Sequence, residues 1–97
     1  MAGKSAPSAD GRPKLQPFVR LQYDKTRERW VLQAPERVFV LDETGKEIVE
    51  LCRGEMSIGG IVEHLAAIYD APQDVISHDV NAVIQVLSDK GMLAIED

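Results

Sequence analysis

Few residues in this chain are equipped to make or break bonds. The 97 residues include one cysteine, Cys52, and two histidines, His64 and His78. Cys52 follows Ile48, Val49 and Leu51, a setting in which cysteine serves as a small buried hydrophobe. His64 lies between Glu63 and Leu65 beside an apolar face. His78 falls in the first turn of a helix or one turn inside it. One cysteine and two isolated histidines do not make a zinc site, which needs three or four ligands at short spacing. The Gly59-Gly60 pair lacks the lysine and the preceding strand of a phosphate-binding loop. The acidic residues are scattered as solvated helix faces would scatter them. The chain is therefore not read as an enzyme, and no cofactor and no metal are implied.

What remains is binding, and charge narrows the partner. Residues 1–41 hold eight Lys/Arg against four Asp/Glu, net +4, whereas residues 42–97 hold three against twelve, net −9. The acidic half is the half with helical periodicity. A duplex reader needs the reverse, because phosphate contacts supply most of nucleic-acid affinity. No apolar run is long enough to span a membrane. The N-terminal residues have no apolar stretch that could act as a secretory signal, and a single cysteine excludes an internal disulfide, so the expected compartment is the cytoplasm.

The elements that must position a binding site follow from periodicity. Residues 1–16, rich in Ala, Ser, Gly, Pro and charge, are read as a flexible tail or linker, and residues 17–97 as one small domain. Phe18–Tyr23 alternates, with Val19, Leu21 and Tyr23 on one side and Arg20 and Gln22 on the other, the period of a strand. Trp30–Ala34 is a second strand, ended by Pro35. Ala34-Pro35-Glu36-Arg37 fits a tight turn with proline at its second position. Arg37–Leu41 is a third strand, apolar on both faces, which predicts cover on both sides.

Three helices follow. Asp42 caps the first, which buries Ile48, Val49, Leu51 and Cys52 and is expected to end at Gly54. Ser57 caps the second, with Ile58, Ile61, Val62, Leu65, Ile68 and Tyr69 at helical spacing. Gly59 and Gly60 weaken its first turn by up to about 1 kcal/mol each relative to alanine. After Ala71-Pro72 the third helix sets Ile76, Val80, Val83, Ile84 and Leu87 on one stripe and stops at Gly91. Met92–Ile95 is a short apolar end that either adds to the sheet edge or packs on the helices. The fold class is α+β: a three-stranded antiparallel meander followed by three α-helices, with the proportions of a winged helix.

That fold offers two uses. As a winged helix it could read a major groove, but the third helix carries Asp74, Asp79 and Asp89 with only Lys90 as a cation, and the second carries no cation at all. A gel shift at low salt discriminates this alternative. As a peptide binder it would offer the third strand to an extended guest by β-augmentation. Arg37, Val38, Phe39, Val40 and Leu41 would form one wall. Asp79, Ala82, Val83, Val86 and Lys90 of the third helix would form the other. Val86 lies off the main apolar stripe, so that helix is apolar over a wider arc than one core contact requires. An exposed edge also invites self-pairing, so a monomer or a domain-swapped dimer fits the pattern.

The string Trp30-Val31-Leu32-Gln33-Ala34-Pro35-Glu36-Arg37, then Val38, Val40, Leu41 and Asp42, resembles the PqqD family, peptide chaperones of pyrroloquinoline quinone (PQQ) biosynthesis. Ile48 and Leu51 before Arg53-Gly54, Ile61 and Leu65 before Tyr69, and Asp79-Val80 before Leu87 and Gly91 extend the resemblance from Phe18 to Ile95. It implies a protein without catalytic activity that binds PqqA, a short ribosomal precursor peptide. It also implies association with PqqE, a radical S-adenosylmethionine enzyme that joins a glutamate and a tyrosine of that peptide. In related recognition elements the leader segment adds to the third strand and lies against the third helix. Carried over, those positions are Arg37–Leu41 and, on the helix, Asp79, Val83, Val86 and Lys90.

Overall fold

The computed structural model describes residues 9–96. Strand β1 is Arg12–Leu15, β2 Arg20–Asp24, β3 Arg29–Ala34 and β4 Arg37–Leu41; helices α1 (Glu43–Glu50), α2 (Ile58–Tyr69) and α3 (Gln73–Asp89) follow, and β5 is Leu93–Glu96. Strands β2, β3 and β4 form the antiparallel meander in that order, so β4, the third strand of the sequence reading, is an edge. The class is α+β, as the periodicity predicts.

Register decides which side chains meet. Leu21 pairs with Leu32, Tyr23 with Trp30, Leu32 with Phe39 and Trp30 with Leu41. These face the helices. Leu32 is fully buried, joined in the core by Leu41, Ile48, Ile58, Ile61, Leu65, Val80, Ile84, Leu87, Met92 and Leu93. Tyr23 packs edge-on against Trp30 at 5.1 Å, and the Lys46 ammonium of α1 stands 4.9 Å from the Trp30 ring. The other face carries Val31 paired with Val40 and Gln33 paired with Val38. Here the expectation of cover on both sides of the third strand is corrected. Val38 and Val40 are 61% and 48% exposed. No element of the described residues lies over them, because all three helices sit on the opposite face.

The helix caps follow the sequence. Asp42 Oδ1 accepts from the Gly45 amide at 2.7 Å, and Ser57 Oγ accepts from the Gly60 amide at 3.0 Å. Gly91, at φ 74°, ends α3. Gly54 does not cap α1, whose C-cap is Leu51. Instead Gly54, at φ 81°, donates its amide to the Pro13 carbonyl at 2.9 Å, and a Cβ there would press on Lys14 at 3.1 Å.

That contact belongs to the largest correction. The segment read as a flexible tail contains β1, which pairs antiparallel with β5 in a second, two-stranded sheet; Pro13 lies opposite Ile95 and Leu15 opposite Leu93. Met92–Ile95 therefore joins β1 rather than the meander. The same segment also closes the start of α2, where the amides of Ile58 and Gly59 donate to the carbonyls of Gly11 (2.8 Å) and Ala9 (2.9 Å). First-turn helix amides have no partner within the helix, so this strap satisfies two of them. A Cβ on Gly59 would sit 3.4 Å from the Ala9 carbonyl oxygen, an ordinary van der Waals contact. Residues 1–8 of the expected tail lie outside the described residues.

Candidate peptide-binding groove

Pro35 and Glu36 alone separate β3 from β4, with Ala34 paired to Arg37. Glu36 takes φ 63°, the left-handed conformation that a tight turn demands of its third residue. A two-residue hairpin loop closes on a pair that exchanges both backbone hydrogen bonds, and bonded and non-bonded pairs then alternate. Arg37, Phe39 and Leu41 therefore spend their amides and carbonyls on β3. Those of Val38 and Val40 point away from it, to the vacant edge. The side chains alternate the other way: Phe39 and Leu41 face the helices, Val38 and Val40 face outward.

The helix beside this edge is α3, and two contacts fix its near end. The Arg37 guanidinium donates to the Lys90 carbonyl at 2.9 Å, and the Lys90 ammonium stands 5.7 Å from the Phe39 ring centroid. At 3.6 residues per turn, Asp79, Val83, Val86 and Lys90 share an arc of about 60°, with Ala82 just beyond it. The core residues Ile76, Val80, Ile84 and Leu87 lie roughly a quarter turn away. The arc bearing Lys90 is thus the arc turned to β4. Val83 is half-buried against the core, Val86 is 40% exposed, Ala82 is exposed and Asp79 half-buried.

The other end is fixed less directly. The Tyr69 phenol, at the end of α2, is pushed above its ordinary value by partial desolvation, then by the charges of Glu47 and Glu43 on α1 and a hydrogen bond to Glu47. The start of α1 thus lies near the end of α2. At one end, where Arg37 lies beside Lys90, β4 and the end of α3 flank one groove. A cleft of about 360 Å³ opens at the first end, lined by Glu36, Arg37, Val38, Phe39, Lys90 and Met92.

The residues with chemical potential lie elsewhere. Cys52 is buried, and its thiol donates to the Ile48 carbonyl at 3.3 Å. Burial pushes that thiol from 9.0 up to about 12. The fold keeps the proton while the unfolded chain loses it, so this contribution to stability is whole below pH 9.0 and fades as pH rises toward about 12. We expect Cys52 to resist a disulfide thiol probe at pH 8 in the native protein and to react at once in denaturant; prompt native labelling would contradict its burial. His64 and His78 are exposed. Among the described residues no group of three or more His, Cys, Asp or Glu could hold a metal. Among the described residues no helix is long and apolar enough to cross a membrane.

Sequence reasoning overlooked two parts of this groove. One is Met92, which closes the cleft floor. The other is the clip from the Arg37 side chain to the Lys90 carbonyl; its only signal was that Lys90 is the single cation following an acidic helix.

Comparison with known proteins places the chain in a family. Residues 29–93 match the family model of PqqD, coenzyme PQQ synthesis protein D. A relative in Bradyrhizobium diazoefficiens named PqqA binding protein is 49% identical over 86 residues, 89% of this chain and 84% of that protein. One of the same name in Xanthomonas oryzae pv. oryzae is 42% identical over 92% of this chain and 97% of its own length. The fold is similar to the solution structure of the PqqD part of Methylobacterium extorquens PqqCD, a stand-alone recognition element for ribosomally made, post-translationally modified peptides. That match has a TM-score of 0.79 and 34% identity, covering 93% of this chain and 96% of that one. The fold also matches TbiB1, solved with the TbiA(β) leader peptide, at TM-score 0.69 and 22% identity over 82% of this chain and 93% of that one. With a family match that runs from β3 through the three helices, and relatives 42–49% identical over 84% or more of their length, the chain belongs to the PqqD family.

Proposed function

We propose that this chain is a peptide chaperone of PQQ biosynthesis that binds the precursor PqqA as an added strand on β4 and presents it to the radical S-adenosylmethionine enzyme PqqE. The observation that carries the reading is the vacant edge beside an apolar helix arc. Val38 and Val40 turn backbone donors and acceptors outward, next to Phe39, Val83 and Val86. Backbone pairing holds an extended guest largely irrespective of its sequence, and pockets for alternate side chains then set the register. A disordered peptide costs several kcal/mol to order, which a preformed edge and groove offset. The names of the relatives, PqqA binding protein, support the choice of guest.

The chaperone needs no residue at the reacting atoms. Its contribution is to hold the peptide at high effective concentration beside the enzyme. This requires peptide and enzyme to occupy different surfaces. Titration calorimetry with synthetic PqqA is expected to give saturable one-to-one binding, and a subsequent addition of PqqE a ternary complex on size exclusion. Absence of PqqA binding would refute the chaperone role; displacement of the peptide by PqqE would refute presentation.

A further inference from the structure

The groove is not electrically uniform. At one end Arg37 and Lys90 line the same cleft, and neither has a carboxylate partner among the described residues, unlike Arg27, which pairs with Asp24, and Lys46, which pairs with Glu50. Arg37 uses one guanidinium nitrogen on the Lys90 carbonyl, which leaves its other donors unassigned and holds the planar group in place. Lys90 stands over the Phe39 ring, a position that fixes its ammonium beside the strand. The opposite end carries Asp42 and Glu43 just past β4 and Asp79 on the groove arc of α3. Glu36 also lines that cleft, so two cations stand there against one carboxylate, and a guest carboxylate meets net attraction at that end and repulsion at the other.

We infer that the Arg37–Lys90 cleft reads a carboxylate side chain of the docked peptide, and that this contact sets the guest's direction and register. The inference rests on the peptide-binding reading of the groove. Arg37, Phe39 and Leu41 point to the helix side of the sheet, so guest residues directly opposite them do the same. The guest residue opposite Arg37 places its side chain in the cleft and is acidic. Those opposite Phe39 and Leu41 face Val83 and Val86 and are apolar. An antiparallel guest, which continues the pairing of the whole meander and is the slightly more stable arrangement per residue, then reads apolar–x–apolar–x–acidic from N- to C-terminus. The intervening positions lie beside the exposed Val38 and Val40 on the outer face. The substrate class is accordingly an extended segment with an Asp or Glu at one fixed place, four residues beyond its first apolar anchor.

The test uses full-length protein and synthetic PqqA, followed by amide-resolved NMR titration at low and high salt, about 20 mM and about 500 mM. Wild type and Lys90→Arg are expected to bind alike and to lose about fivefold in affinity at high salt. Lys90→Glu is expected to bind about fivefold or more weakly at low salt and to show little further loss with salt. A role for Lys90 in stability alone would leave the salt dependence unchanged. Should Lys90→Glu fold poorly, Lys90→Gln and the Arg37 Nε–H resonance of the wild type report the same contact, the resonance moving when a carboxylate arrives. Equal affinity and equal salt dependence for wild type and the Lys90 variants, with the Val38 and Val40 amides shifting, would overturn the inference and leave the groove standing. If PqqA binds and those amides stay still, the groove reading itself fails and the inference falls with it.

Discussion

Replacement of Val40 by proline is expected to weaken PqqA binding at least tenfold while leaving the fold intact. The expectation follows from hydrogen-bond parity. The Val40 amide points to the vacant edge, so its loss removes no bond between β4 and β3. Proline is tolerated in just this position, on an edge strand with its missing N–H toward solvent. The side chain at 40 is on the outer face, away from the core, so packing changes little. A docked strand, by contrast, loses the donor at the centre of the edge, and the proline ring obstructs the approach of the guest carbonyl. Leaving that carbonyl unpaired costs about 1–3 kcal/mol, roughly 5- to 150-fold in Kd, and the obstruction by the ring adds to it. Phe39→Pro makes the contrast: its amide belongs to the β3–β4 ladder, and that variant is expected to unfold. Wild-type affinity in a folded Val40→Pro protein, measured by calorimetry, would contradict docking on this edge.

The second large effect concerns stability. A chain that begins at Gln16 lacks β1 and the strap before it. Leu93–Glu96 then loses its strand partner β1, and Ile58, Gly59 and Gly54 lose the carbonyls of Gly11, Ala9 and Pro13. Pro13 is fully buried, so its removal also uncovers the core beside β5. Part of this cost is recovered by water at the exposed amides. The remainder is expected to be at least about 2 kcal/mol, which lowers the thermal midpoint of a domain this size by about 10 °C. Thermal unfolding followed by circular dichroism checks it; an unchanged midpoint would mean that β1 is an ornament. Affinity for PqqA, measured well below the midpoint, should change little, because β1 and β4 belong to different sheets.

That strand also marks what the sequence conceals. Arg12-Pro13-Lys14-Leu15 has a proline, two cations and no apolar run, so no local signal separates it from a linker. It is a strand because of distant partners: β5 at the other end of the chain, an isolated bridge from Lys14 to Arg53, and the start of α2. The meander and helices were legible for the opposite reason, since alternation, caps and breakers are local and here agree with the tertiary structure. Asp42, Ser57 and Gly91 each do what their residue type predicts. The bond from the Gly59 amide is equally hidden from local pattern, because its acceptor is the distant Ala9 carbonyl.

The groove was legible in outline. Apolarity on both faces of Arg37–Leu41 pointed to an unusual strand, but the expected cover is absent and the outer valines stay exposed. Which backbone groups face the edge was latent in the two-residue Pro35-Glu36 loop, because loop length fixes pairing parity. The Arg37–Lys90 clip left only one faint signal, a single cation after an acidic helix. It joins residues 53 apart in the chain, and no periodicity links a strand's first residue to a helix's last turn.

Amide hydrogen exchange along β4, with and without PqqA, tests the central claim most directly. In the free protein, Phe39 and Leu41, bonded to β3, should exchange slowly, and Val38 and Val40 should exchange fast. Saturation with PqqA should protect Val38 and Val40 strongly and leave the protection of Phe39 and Leu41 nearly unchanged. Protection that appears on α2 or on the outer sheet face, with Val38 and Val40 still exchanging as in the free protein, would contradict the account.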